Sequence, residues 1–290
     1  MSKSQPSDLQ RETDHPPSIA RQAVPGPSHS GRPDAKQPET RVGTSGWHYR
    51  SWHGPFYPKD LKIKDFLTYY TRHFDTAEIN NSFYRLPTEQ AVRVWRESAP
   101  EGFLFAWKVS RFITHMKKLQ DVEESIELVF GRMAGLGDTF GPVLFQLPPM
   151  LRANDETRDR LARCLSLVPR DRRIAFEFRH PSWYDEDVFR ILRDCNAALC
   201  LSDHADAPTP WVITADFVYV RGHGTNGRYA GSYSGETLQN WSRHIAEWRQ
   251  TGRDVYVYFD NDIKSAAPGD AQALLALLDG DQSPSAMSSR

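Results

Sequence analysis

Apolar positions along this chain change their period in a regular way. Eight short runs rich in β-branched and aromatic residues predict strands at residues 41–46, 76–80, 103–109, 143–147, 174–178, 198–203, 217–221 and 255–259. Between them, apolar residues recur at helical spacing. Leu61, Phe66, Leu67, Tyr70 and Phe74 form one stripe, and Ala91, Val92 and Trp95 a second. Asp121 reads as an N-cap with Glu124 three residues on, ahead of Ile126, Val129, Phe130 and Met133. Leu161, Cys164, Leu165 and Val168 make the next stripe, followed by Val188, Ile191, Leu192 and Cys195. Leu238, Trp241, Ile245 and Trp248 predict a helix stopped by Gly252 at its C′ position. Ala271, Leu274, Leu275 and Leu278 form the last. Residues 204–215 are too few and too rich in proline for a full helix, so an irregular crossover is expected there.

Eight strands, nearly all followed by a helix, over about 240 residues predict an α/β fold of the TIM (β/α)8 type with an irregular sixth crossover. The competing fold, an open Rossmann-like sheet, favours a GxGxxG turn after its first strand. Here that strand leads into Thr44-Ser45-Gly46-Trp47, which lacks the spacing. The barrel is expected at residues 41–279. Residues 1–40 are rich in Pro, Ser and charge without a single Phe, Trp or Tyr, and predict a disordered N-terminal tail. Residues 280–290 predict a similar C-terminal tail.

Hydrophobic residues at 39% and aromatics at 12% suffice for one large core. A formal net charge of -1 gives no global attraction to nucleic acid or anionic lipid. The chain has no run of about 18 apolar residues and no signal-peptide h-region, so no membrane partner and a cytoplasmic location are expected. Its cysteines, Cys164, Cys195 and Cys200, form no CxxC pair. They are expected as small buried hydrophobes rather than as a disulfide or zinc framework.

In a barrel, functional groups collect where the strands end. Strand two ends with Glu78 and Asn80, strand three with Lys108 and strand four with Gln146. Strand five ends with Glu177 and Arg179, followed by His180, and strand six with Asp203. Strand seven delivers Arg221 and His223, and strand eight runs into Asp260-Asn261-Asp262. Charged residues are rarely buried alone. Their recurrence at one end of otherwise apolar runs means either a structural ion network or a polar pocket. Glu78 and Glu177 fit a general acid/base pair, with salt bridges to Lys108 and Arg179 as the competing reading. Glu78, Glu177, Asp203 and His223 are candidate ligands for a divalent metal ion, although no diagnostic spacing links them and nearby cations oppose it. The stretch from Arg221 to Arg228 carries Gly222 and Gly224, whose backbone could approach a phosphate, with Arg221 and Arg228 as fork donors. Trp47, Tyr49, Trp52, Phe56 and Tyr57 crowd the loop after strand one, as a stacking wall or as plain packing.

Several of these motifs, taken in order, resemble a known family. Thr44-Ser45-Gly46-Trp47, Phe56-Tyr57-Pro58, Glu78-Ile79-Asn80-Asn81-Ser82-Phe83-Tyr84, Ile113-Thr114-His115, Gln146-Leu147-Pro148-Pro149, Glu177-Phe178-Arg179-His180-Pro181-Ser182-Trp183, Arg221-Gly222-His223-Gly224 and Tyr258-Phe259-Asp260-Asn261-Asp262 are similar to those of the YecE-like family, domain-of-unknown-function family seventy-two. The resemblance runs from about Val42 to Leu278 and implies a TIM-type barrel. It also implies a distant kinship with sugar isomerases and with metal-dependent endonucleases acting at abasic sites, but no particular reaction. Asp260 stands where the family pattern more often has Asn.

The leading expectation is an enzyme acting on a small polar, sugar-like or phosphorylated substrate. Glu78, Glu177, Lys108 and His223 are the candidate catalytic residues. Trp47, Tyr49, Asn80, Gln146, Arg179, His180, Asp203, Arg221, Gly222, Gly224 and Asn261 are the candidate binding residues. A second reading is a metal-dependent phosphodiesterase or endonuclease acting on nucleic acid, with Arg111, Lys117, Lys118, Arg152 and Arg228 as its basic rim. A third is a non-catalytic ligand-binding module.

Overall fold

The computed structural model describes residues 37–281. Eight parallel strands run in the order β1-β8-β7-β6-β5-β4-β3-β2. They are β1 (Thr40–Thr44), β2 (Thr76–Ile79), β3 (Leu104–Lys108), β4 (Phe140–Gln146), β5 (Ile174–Glu177), β6 (Ala198–Ser202), β7 (Phe217–Gly222) and β8 (Asp254–Phe259). Seven helices accompany them: α1 (Phe66–Tyr70), α2 (Glu89–Ser98), α3 (Glu123–Met133), α4 (Asp155–Leu167), α5 (Glu186–Asp194), α6 (Gly235–Gln250) and α7 (Ala266–Asp281). Every predicted strand is present, and β6 reaches β7 without a helix, as the proline-rich gap requires. The fold is a nearly closed TIM-type barrel. Order extends slightly beyond the expected limits, since β1 starts at Thr40 and α7 ends at Asp281. The remainder of both expected tails, residues 1–36 and 282–290, lies outside the described residues.

Closure between β1 and β2 differs from the other junctions. One isolated parallel bridge joins Ser45 to Glu78, with the Gly46 N–H donating to Glu78 O at 2.8 Å. Below that bridge a side chain replaces the ladder. The Tyr70 hydroxyl accepts the Thr44 N–H at 2.9 Å and donates to Thr76 O at 3.0 Å. Gly43 makes room for this arrangement: a Cβ there would stand 2.2 Å from Thr76 O.

Two apolar layers hold the barrel. The outer one lies between strands and helices and uses the predicted stripes, for example Leu161, Cys164 and Leu165 of α4 and Leu238, Trp241 and Ile245 of α6. The inner one fills the barrel with Ala106, Leu144, Ala175, Cys200, Tyr219 and Tyr258, among others. α6 ends as its sequence predicts. Gly252 has φ 82°, its N–H donates to Arg249 O at 2.9 Å, and the Arg253 N–H reaches Trp248 O at 3.2 Å, a Schellman closure.

Two local expectations are corrected. Asp121 does not cap α3; it has φ 48°, and the helix begins behind Val122 with no side-chain cap. Burial of Leu119 and Val122, both 2% exposed, sets the chain's entry into α3 instead. Cys195 is exposed at the end of α5, whereas Cys164 and Cys200 are buried.

Candidate active site

The period of two that carries apolar side chains into the barrel also carries polar ones to its top. Two residues beyond the inner layer come Lys108 after Ala106, Gln146 after Leu144, Glu177 after Ala175, Ser202 after Cys200, Arg221 after Tyr219 and Asp260 after Tyr258. β2 adds Glu78 and the end of β1 adds Ser45. All eight are buried.

Arg221 is the hub. Its Nη1 donates to Glu177 Oε2 at 2.8 Å. Its Nη2 donates to Glu78 Oε1 and Asp260 Oδ2, each at 2.8 Å, and to Ser45 Oγ at 3.0 Å. The Tyr219 hydroxyl donates to Glu78 Oε2 at 2.6 Å, and Ser45 Oγ donates to Glu78 Oε1. Glu177 Oε1 meets Arg179 Nη2 at 2.5 Å. Burial by itself would raise the Glu177 carboxyl, but Arg179 and Arg221 outweigh it and hold the group well below the usual carboxylate range. Burial likewise opposes the charge on Arg221, yet Asp260, Glu78 and Glu177 hold it firmly protonated.

His223 joins this hub to the β6 loop. Its Nε2 lies 3.0 Å from Arg179 Nη2 and 3.3 Å from Arg221 Nη1. Two guanidinium donors make Nε2 the acceptor, so the ring proton sits on Nδ1, which faces Ser202 Oγ at 3.3 Å and Asp203 Oδ1 at 3.4 Å. Asp203 Oδ1 also accepts the His223 N–H at 2.7 Å, and its Oδ2 accepts the Tyr233 hydroxyl.

Lys108 stands apart. It is 6% exposed, and its Nζ lies over the Phe83 ring, 4.7 Å from the centroid. Among the described residues it has no hydrogen bond or ion pair through that nitrogen. Burial and repulsion from Arg221 push its pKa down to about 8, against the pull of Asp260, Glu78 and Glu177. The imidazoles of His115 and His204 are each lowered to about 4, by burial first and then by neighbouring cations, so both are neutral at pH 7.

Other expected residues sit nearby in different settings. Gln146 is buried beside Glu177 in strand register. His180 accepts the Ser182 N–H at 3.1 Å and caps the short turn Pro181–Trp183. Asn261 is fully buried and braces the β8 loop, donating to Gly231 O at 2.8 Å and to Asp270 Oδ2 at 2.6 Å. The phosphate-loop geometry is not assembled. Arg221 is committed to carboxylates, the Gly224 N–H donates to Tyr233 at 2.8 Å, and Arg228 pairs with Asp206 at 2.7 Å. Gly222 permits close packing, since a Cβ there would stand 2.8 Å from the Tyr233 hydroxyl. Gly224, at φ 89°, would bring a Cβ 2.2 Å from Ala230 O. Of the loop aromatics, Tyr57 stacks on Phe66 at 4.0 Å and packs with Trp52. Trp47, Tyr49 and Asn80, together with Tyr84 and Trp95, line a cavity of about 240 Å3 beside the network.

The family model described as "Protein of unknown function DUF72" matches residues 41–289. The chain belongs to the DUF72 family. It is similar to the UPF0759 protein YunF of Bacillus subtilis (strain 168), 26% identical over 269 residues, covering 82% of this chain and 94% of that one. The UPF0759 protein YecE of Escherichia coli (strain K12) is 24% identical over 250 residues, covering 78% and 88%. A crystal structure of a DUF72 family protein from Thermotoga maritima superposes with TM-score 0.76 at 27% identity, over 83% of this chain and 99% of that chain. Another from Enterococcus faecalis gives TM-score 0.72 at 22% identity, over 83% and 95%, and has the same fold.

A divalent ion does not fit the mouth of this DUF72 barrel. The space between Glu78 and Glu177 is held by the Arg221 guanidinium, and Arg179 covers the other Glu177 oxygen. Among the described residues, no group of three or more His, Cys, Asp or Glu is placed to hold a metal. Of the candidate set, Glu78, Glu177 and His223 serve the Arg221 and Arg179 guanidiniums, and Asp203 accepts from Tyr233 and the His223 N–H. Sequence reasoning missed Ser45, Ser202, Tyr219 and Tyr233. The first three share the inward parity of the charged residues, which is the signal that could have found them. Tyr233 lies on the loop before α6 and carries no such signal.

Proposed function

We propose that this DUF72 barrel is an enzyme acting on a small, polar, negatively charged substrate, phosphorylated or acidic, held over the top of the barrel by Lys108. The observation that carries the reading is the contrast between the mouth's cations. Arg221 and Arg179 are spent on Glu78, Glu177 and Asp260, whereas Lys108 is buried over an aromatic face and has no ion pair among the described residues. A buried ammonium without a counterion attracts an anion strongly. With a pKa of about 8, it also exchanges its proton near physiological pH, as a general acid or base must. Glu177 and Glu78, locked in ion pairs, act as fixed counterions that orient Arg179 and Arg221 rather than as proton carriers. His223, with Nδ1 facing Asp203 and Ser202, is the second proton-handling group.

The test is a panel of sugar phosphates and hydroxy acids incubated with the protein in deuterated water. Carbon-bound deuterium is read by mass spectrometry and new products by NMR. Wild type is expected to exchange or convert at least one compound. Lys108→Met should lose roughly 100- to 10,000-fold of that rate with its melting temperature retained, and Lys108→Arg should not restore it. Full turnover by Lys108→Met would remove the lysine from the reaction. Thermal stabilisation by a compound with no exchange in any protein would instead favour a binding module.

A further inference from the structure

The cavity beside the ion network shares its walls. It lies between the loops after β1 and β2. The Gly46 N–H is bonded to Glu78 O, the Tyr49 hydroxyl donates to Ser45 O at 2.7 Å, and Asn80 is two residues beyond Glu78. Its chemistry is nevertheless the opposite of the mouth's. Among the described residues, no charged side chain lines it, and burial together with Arg50 keeps the His48 imidazole below its usual range and so neutral at pH 7.

We propose that this cavity is a subsite for a neutral, saturated, hydroxyl-bearing ring, the sugar part of a ligand whose charged end meets Lys108. The proposal deepens the reading of the mouth given above and rests on it. Three observations carry it. The volume of about 240 Å3 is just below the range of ~300–1,000 Å3 for drug-sized ligands, so it holds one ring. Trp47 and Trp95 meet at 86° with centroids 5.8 Å apart, forming a corner rather than a slot. A corner offers one face for the C–H side of a saturated ring and leaves its hydroxyl rim open toward Asn80 and Asn81. Aromatic rings also pack edge to face, so flat probes are the competing occupants in the test. Finally, Asn80 Oδ1 is buried and has no hydrogen-bond partner among the described residues. Asn80 and Asn81 both border the cavity, and a turn of the Asn80 amide toward it would let a ring hydroxyl supply the missing donor. Tyr84, 71% exposed at the rim, stands open beside it.

The test titrates the full-length protein with methyl β-D-glucopyranoside, methyl α-D-mannopyranoside and methyl β-D-ribofuranoside, and with adenosine and indole as flat probes. Tryptophan fluorescence and saturation-transfer NMR report binding. At least one glycoside is expected to bind saturably and better than either flat probe. Its affinity should fall about ten-fold in Asn80→Ala, one lost hydrogen bond, and fall also in Tyr84→Ala. The exposed Tyr84 keeps the test decisive if the Asn80 variant fails to fold. Binding should be unchanged in Cys195→Ala, an exposed position outside both sites, and because binding is read without turnover, its outcome is separate from that of the Lys108 assay. No saturable glycoside signal, preference for adenosine or indole, or full affinity in both cavity variants would overturn the proposal.

Discussion

Replacing Arg221 by Met keeps the stem of the side chain and deletes the charge at the centre of the mouth. The structure specifies what is left behind. Glu177 retains Arg179 at 2.5 Å, and Glu78 retains the Tyr219 and Ser45 hydroxyls. Asp260 loses its 2.8 Å partner and is left facing the unprotonated His223 Nε2, 3.6 Å away. Stranding a buried charge in this way costs roughly 3–5 kcal/mol. At about 2–4 °C per kcal/mol for a domain of this size, the melting temperature should fall by about 6–20 °C. The loss should depend on pH. Without the guanidinium, the stranded carboxylates take up protons more readily in the folded chain than in the unfolded one. The penalty is therefore full near neutral pH and shrinks on acidification. In the wild type the sign is opposite: the depressed Glu177 carboxyl contributes stability that is present above its unfolded value and lost as pH falls toward its folded one. Urea unfolding of both proteins at about pH 7.5 and about pH 5.5 should show the gap closing. Adding Glu78→Gln and Asp260→Asn to the variant should restore much of the stability. A loss under about 1 kcal/mol, the worth of an exposed ion pair, with no dependence on pH, would refute the idea that Arg221 neutralises a buried acidic cluster.

Three further outcomes are expected. Competitive acylation with mass-spectrometric readout should show Lys108 reaching half-maximal reactivity near pH 8, its depressed value, against about 10.4 for ordinary lysines. Reactivity rising only above pH 10 would contradict its unpaired, buried state. Tyr70→Phe should cost about 1–3 kcal/mol in chemical denaturation, because it leaves the buried Thr44 N–H and Thr76 carbonyl without their shared partner. No change would mean that the β1–β2 junction is held by other means. Of the three thiols, only exposed Cys195 should react with a thiol reagent in the folded protein. Burial pushes Cys164 up to about 12 and Cys200 well above its ordinary value. Rapid reaction of all three would show that the core opens readily.

The barrel was legible because its strands and helices differ in run length and spacing. The five-residue, nearly continuous apolar run at 174–178 is too short for a helix and fits a buried strand, whereas spacing of three to four over 161–168 fits a helix. Asp121 was misread because cap chemistry is local, whereas the start of α3 is set by burying Leu119 and Val122 against residues far away in sequence. Strand parity also placed Glu78, Glu177 and Arg221 at one end. It could not say which cation lies deepest. That depends on the strand stagger, which brings Arg221 between the carboxylates and leaves Lys108 over Phe83. Glycine spacing after Arg221 suggested an anion loop for the same reason: a sequence shows that a backbone can bend, not that its N–H groups are already taken by a hydroxyl such as that of Tyr233.

The closure between the first two strands has a consequence for how the cylinder is laced. β1 is laced to β8 along five residues, but its backbone meets β2 at a single bridge, and side chains supply the rest: the Tyr70 phenol, Ser45 Oγ on Glu78 and Arg41 on Asp75. Fewer backbone bonds cross the wall there, as at the clasp of a bracelet. The clasp borders Ser45, Glu78 and the aromatic corner, so the ion network and the cavity both sit against the stretch of the cylinder with the least backbone lacing.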